Sequence, residues 1–127
     1  MKIAISSQGE DLEAMVDPRF GRCTYFIIYD SETKKIEGLS NPALEAMGGA
    51  GILAAQLIAD KGAEVVITGN VGPNAFQTLN QANIKIYGGA SGTVKDSLKK
   101  FENGELNELS NSSVPRHFGM EKDKGGS

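Results

Sequence analysis

Glu64-Val65-Val66-Ile67-Thr68-Gly69-Asn70-Val71-Gly72-Pro73-Asn74-Ala75-Phe76 is the stretch on which the fold turns. Val65, Val66 and Ile67 form a short unbroken apolar run, the pattern of a strand buried on both faces. Gly69 to Gly72 breaks the run, and Pro73 occupies the first-turn position that a helix tolerates. That helix has Phe76 and Leu79 to bury. A further β-branched run, Ile84-Lys85-Ile86-Tyr87, follows it. Strand, helix and strand in succession make a crossover unit of a parallel sheet.

The same alternation extends outward on both sides. Upstream, Ala50, Leu53, Ala54, Leu57 and Ile58 recur at helical spacing and make one apolar face. Gln56, Asp60 and Lys61 lie off that face, and Gly62 is a natural stop. Downstream, Thr93 with Asp96 resembles a capping box, Val94, Leu98 and Phe101 form the apolar face, and Asn103-Gly104 ends the helix.

Nearer the N-terminus the period is that of strands. Lys2 to Ser6 is a β-branched strand ended by Ser7-Gln8-Gly9, and Tyr25-Phe26-Ile27-Ile28-Tyr29 is a second. Asp30-Ser31-Glu32-Thr33 turns the chain into a return strand over Lys35–Leu39. The order is therefore β-β-β-α-β-α-β-α. A meander followed by crossovers predicts a mixed five-stranded sheet, and right-handed crossovers give it the order 3-2-1-4-5 with flanking helices. This α/β arrangement is ribonuclease-H-like.

With 127 residues the chain is one domain. The domain is placed at residues 1–104. Residues 105–127 are read as a polar C-terminal tail with little to bury, expected to be largely disordered. Hydrophobic residues make up 39% and the formal net charge is −3. A mild acidic balance argues against a nucleic-acid partner, which needs a basic face. No apolar run approaches the roughly 20 residues that cross a bilayer. The run Ile3-Ala4-Ile5 is too short for a signal peptide's apolar core. Cys23 is the single cysteine, so no internal disulfide forms, which fits a reducing compartment. The expectation is a cytoplasmic protein with no membrane partner.

The topology gathers four segments at one edge of the sheet: Gln8–Arg22, Asn41–Gly51, Gly69–Asn74 and Gly88–Gly92. Open α/β sheets bind ligands at the carboxyl ends of their strands. Three of the segments bear glycines and lead into helices, whose N-termini present unpaired N–H groups and about half a positive charge. Taken singly, such glycines mean only tight turns. Three together, with Arg19 and Arg22 on the same edge, point to an anion. Candidate binding residues are Arg19, Phe20, Gly21, Arg22, Gly49, Gly51, Gly69, Asn70, Gly72 and Gly89.

Other chemistry finds little support. Gly49-Ala50-Gly51-Ile52-Leu53-Ala54 matches a dinucleotide fingerprint, but that mechanism needs a strand directly before the first glycine, and Asn41-Pro42-Ala43 precedes it instead. The first strand has no acid for two-metal phosphodiester cleavage. A single histidine, His117, gives neither a conventional zinc site nor a Ser-His-Asp triad. As an isolated residue near the tail it reads as solvated surface, or as one ligand of a cluster held mainly by other groups. Cys23 reads as packing at a strand end; alternatively, with Arg22 favouring the thiolate, it is a metal–sulfur ligand. No acid–base or nucleophile–base pair can be named, so the chain is not expected to be an enzyme.

Asp17-Pro18-Arg19-Phe20-Gly21-Arg22 followed by Tyr25-Phe26, Gly49-Ala50-Gly51 opening a helix, and Thr68-Gly69-Asn70-Val71-Gly72-Pro73-Asn74-Ala75 together resemble the dinitrogenase iron–molybdenum cofactor biosynthesis family. Its NifX-like and NifB C-terminal-like domains are the nearest in kind, and the likeness covers roughly Met1 to Phe101. The resemblance implies a ribonuclease-H-like fold and a non-catalytic role. Relatives bind iron–molybdenum cofactor or its iron–sulfur precursor and hand it between assembly proteins, which act as donor and acceptor. The leading expectation is thus a carrier of an anionic iron–sulfur cluster or cofactor precursor. The alternative is a cofactor-free interaction or regulatory module that uses the same edge.

Overall fold

The computed structural model of the protein describes residues 1–113. Strands β1 (Lys2–Ser7), β2 (Tyr25–Asp30) and β3 (Ile36–Ser40) form an antiparallel meander. A single 3-10 turn at Pro42–Glu45 leads to α1 (Ala50–Asp60), followed by β4 (Val65–Ile67), α2 (Pro73–Gln81), β5 (Lys85–Gly88) and α3 (Val94–Glu102). β1 pairs in parallel with β4, and β4 with β5. The expected order 3-2-1-4-5 is present and gains a sixth member: β6 (Asn107–Glu108) lies antiparallel to β5 at the edge.

That sixth strand corrects the expected strand count. It also changes the reading of the residues just past 104. Leu109 donates its N–H to the Ile86 carbonyl at 2.8 Å and packs on the core. Ser113 hydrogen-bonds Val71 through both backbone and side chain. The chain beyond Gly104 thus begins with a strand rather than a free tail; the expectation for residues 114–127 lies outside the described residues.

The sheet is apolar on both faces because strand side chains alternate. Ala4, Phe26, Ile28, Val66 and Ile86 face one layer with Ala54, Ala55, Ile58 and Leu79 of α1 and α2. Ile3, Ile5, Ile27, Val65 and Ile67 face the other with Val94 and Leu98 of α3. Burying each large aliphatic or aromatic side chain stabilises by about 1.5–3 kcal/mol. Phe101 of α3 meets Tyr87 edge-on at 4.9 Å.

The local signals act as their chemistry requires. Thr93 Oγ1 accepts the Asp96 N–H at 3.0 Å and caps α3. Gly62 takes φ +80 just past α1, its N–H reaching the Ala59 carbonyl and the next N–H reaching Ile58. At the hairpin turn, Asp30 accepts the N–H groups of Glu32 and Thr33, which hold its carboxyl below the usual range.

One helix face differs from expectation. Ala50, Ala54, Ala55 and Ile58 are the buried residues of α1, whereas Leu53 is 46% exposed. α1 packs side by side with α2, and the approach is close: a Cβ on Gly51 would lie 3.0 Å from the Ala75 Cβ. Small residues rather than leucines suit that seam. In α2, Ala75 and Leu79 are buried and Phe76 only partly so.

Candidate functional site

The carboxyl ends of β1, β4 and β5 are sewn into one seam. Asn70 donates its N–H to the Pro18 carbonyl at 2.7 Å and accepts from the Phe20 N–H at 3.1 Å. The Gly89 N–H reaches the Gly69 carbonyl at 2.8 Å, and the Val16 N–H reaches Gly92. Beneath them the Ser6 hydroxyl donates to the Asp17 carbonyl and lies 2.7 Å from the Thr68 hydroxyl, both side chains fully buried. Gly69 is required here: an added Cβ would stand 2.6 Å from the Pro18 Cα. Phe20 plugs the loop into the core and meets Phe26 at 5.2 Å.

Beside the seam lies an open groove of about 280 Å³, lined by Gly21, Arg22, Gly49, Ala50, Gly51 and the first residues of α2, with Gly72. The N-termini of α1 and α2 both open onto it. Neither is capped by a side chain, because glycine holds both cap positions, Gly49 and Gly72. Among the described residues, no protein acceptor meets the N–H groups of Gly51, Ile52, Asn74 or Ala75. Two helix ends therefore point unpaired donors and partial positive charge at one space.

Gly72 has no structural need to be glycine. Its backbone is ordinary (φ −79, ψ 172), and an added Cβ would meet nothing within 4 Å. Serine, threonine, aspartate or asparagine would cap α2 better. The glycine leaves the donors and the space above them free. Arg22 adds formal charge at the groove wall, held in place by donating Nη1 to the Leu44 and Ala46 carbonyls at 3.2 and 3.0 Å. Asn41, 5% exposed, braces that wall by donating to the Gly21 and Cys23 carbonyls and accepting from Ala43.

The structure thus divides the residues singled out from sequence. Gly21, Arg22, Gly49, Gly51 and Gly72 line the groove. Gly69, Asn70 and Gly89 belong to the seam beside it, and Phe20 to the core beneath. Arg19 is 65% exposed and turns its Nε to the buried Asp17 carboxylate at 3.4 Å. Cys23 is fully buried and donates to the Phe20 carbonyl. Burial, with the Asp17 charge nearby, pushes its thiol up to about 12, so it is protonated at neutral pH. His117 lies outside the described residues. Sequence reasoning passed over Ala50, Asn74 and Ala75, whose backbone donors face the groove. The available signal was the missing cap residue ahead of each helix.

Among the described residues, no group of three His, Cys, Asp or Glu side chains gathers to hold a metal ion. The donors present fit an anion held by hydrogen bonds and charge, not a metal centre coordinated by several protein side chains. No helix among them is long and apolar enough to cross a membrane.

Fold and groove together define an α/β domain of ribonuclease-H-like topology whose strand ends present an anion-receptive edge. The chain belongs to the family described as dinitrogenase iron-molybdenum cofactor, whose model matches residues 1–104. It is similar to the apo form of the orange protein from Desulfovibrio gigas, with 38% identity and a TM-score of 0.85 over 87% of this chain and 94% of that one. A NifB-like protein from Thermotoga shares 42% identity, with a TM-score of 0.77 over 87% and 94%. An uncharacterised protein of Methanocaldococcus jannaschii is 32% identical over 112 residues, 86% of this chain and 92% of its own length.

Proposed function

We propose that the protein is a non-catalytic carrier that holds an anionic metal–sulfur cargo in the groove and passes it between cofactor-assembly proteins. The cargo is an iron–sulfur cluster or a precursor of iron–molybdenum cofactor. The observation that carries this reading is the pair of uncapped helix N-termini facing one space. Sulfide and carboxylate groups on such a cargo accept hydrogen bonds, and the N–H groups of Gly51, Asn74 and Ala75 are preorganised to donate them. Arg22 supplies the balancing charge. Family membership supports the class of cargo.

Holding the cargo by its anionic surface leaves its metal ions free of strong protein bonds. Release then requires breaking hydrogen bonds rather than exchanging several ligands, which suits a carrier. The test is anaerobic titration of the apo-protein with iron and sulfide, or with isolated cofactor precursor, followed by desalting. Visible absorption with stoichiometric iron and sulfide in the protein fraction is the expected result. Protein that emerges colourless and metal-free overturns the reading.

A further inference from the structure

After β6 the chain does not leave from the sheet edge. Leu109 is still bound to the Ile86 carbonyl, and four residues later the backbone has returned to the loop between β4 and α2. There Ser113 donates its N–H to the Val71 carbonyl at 2.9 Å, and its hydroxyl accepts the Val71 N–H at 2.9 Å. Val71 is buried, so these bonds satisfy backbone groups that would otherwise be costly.

That contact fixes where residues 114–127 depart. Val71 directly precedes Gly72, the uncapped start of α2 and a lining residue of the groove. Ser113 is thus tied one residue away from the groove wall. Arg116 follows three positions on, and three residues span up to about 10 Å. Pro115 disfavours helical backbone at Val114, which favours an extended step out from Ser113.

The charge pattern suits a filled groove rather than an empty one. Arg22 is the one charged side chain in the lining. Between Ser113 and Glu121 the sequence carries Arg116 and no acidic residue. Beside two helix N-termini and Arg22, another cation meets positive charge and gains nothing. It gains once an anion lies between them.

We propose that Val114–Phe118 is a strap that crosses the open side of the groove when cargo is bound, with Arg116 pairing to the anionic face turned away from the helix ends. The inference rests on the carrier reading and deepens it: the cargo is anionic on two sides and is held between Arg22 with the helix N–H groups below and Arg116 above. The family model ends at residue 104, so the strap belongs to this chain's extension rather than to the shared domain. An acceptor that draws the anion away also removes what holds the strap.

The test uses the full chain, loaded anaerobically with iron and sulfide, desalted, and digested briefly with trypsin beside the unloaded protein. Mass spectrometry reads cleavage after Arg116. Loading should slow that cleavage about tenfold or more, because proteolysis tracks the open population. Cleavage after Lys35, exposed in the hairpin at the opposite end of the sheet, should not change. Arg116→Gln should raise the dissociation constant about fivefold, the scale of one exposed charge pair, and Arg116→Lys should restore most of the loss. Wild-type protein that retains cargo with unchanged cleavage after Arg116 overturns the strap and leaves the carrier reading standing. Equal affinity of the Gln variant and wild type overturns the pairing of Arg116 with cargo. Failure of the wild type to retain iron and sulfide overturns both readings.

Discussion

Gly69 and Gly72 stand three positions apart in one loop and are glycines for opposite reasons. A side chain at Gly69 would collide with the backbone of Pro18, so the fold cannot close over the seam without this glycine. A side chain at Gly72 would stand in open space, on backbone that any residue adopts. The seam is glycine by steric demand, whereas the groove lip is glycine although stability would favour a capping residue. A residue that is suboptimal for the fold at the lip of the groove is what the proposed binding role requires.

The sharpest way to break this contrast is Gly69→Ala. With a rigid backbone opposing the new methyl, the variant should lose about 3 kcal/mol of stability, the upper end for overpacking, read by urea unfolding. A loss no larger than that of a surface substitution would show that the seam yields. Gly72→Asp should do the reverse. Its carboxylate would cap α2, hold stability constant or raise it by a few tenths of a kcal/mol, and occupy the donors with a negative charge. Cargo affinity should fall at least tenfold, about 1.4 kcal/mol. Unchanged affinity would remove the groove from the proposal.

Two arginine substitutions sharpen the contrast at lower amplitude. Arg22→Ala removes the only formal charge on the groove wall among the described residues and should weaken binding about fivefold, roughly 1 kcal/mol, while making affinity less sensitive to added salt. Arg19→Ala removes an exposed side chain that leans on Asp17 beside the seam, and should alter affinity by less than twofold. Calorimetric titrations at two salt concentrations distinguish the pair. Equal effects would mean that the two arginines share the site.

The order of elements was legible because the chain changes period cleanly, from alternation in β1–β3 to helical spacing in α1, with Pro73, Thr93 and Gly62 marking the boundaries. β6 was not legible. Asn107 and Glu108 are polar and exposed, and they join the sheet through backbone hydrogen bonds to Tyr87 and Gly88, which no side-chain pattern announces. The buried face of α1 was misjudged for a related reason: periodicity counts greasy residues, whereas the close approach of α2 selects alanine. At the site, the convergence of glycine loops followed from topology alone. The separation of Arg22 from Arg19, and the sealing of Cys23, depend on how a loop lacking regular structure packs. Hydropathy carries no record of that.

β1 is the seam between the two halves of the sheet, antiparallel to β2 on one side and parallel to β4 on the other. This has a consequence during synthesis. The meander β1–β2–β3 can assemble as soon as Ser40 has left the ribosome, because its connections are local. The other edge of Ile3-Ala4-Ile5 then stays unpaired until α1 and Val65–Ile67 emerge. For that interval the nascent chain displays an apolar open strand, the kind of template on which neighbouring chains aggregate. Rapid return of α1 and Val65–Ile67 to that edge shortens the interval of exposure.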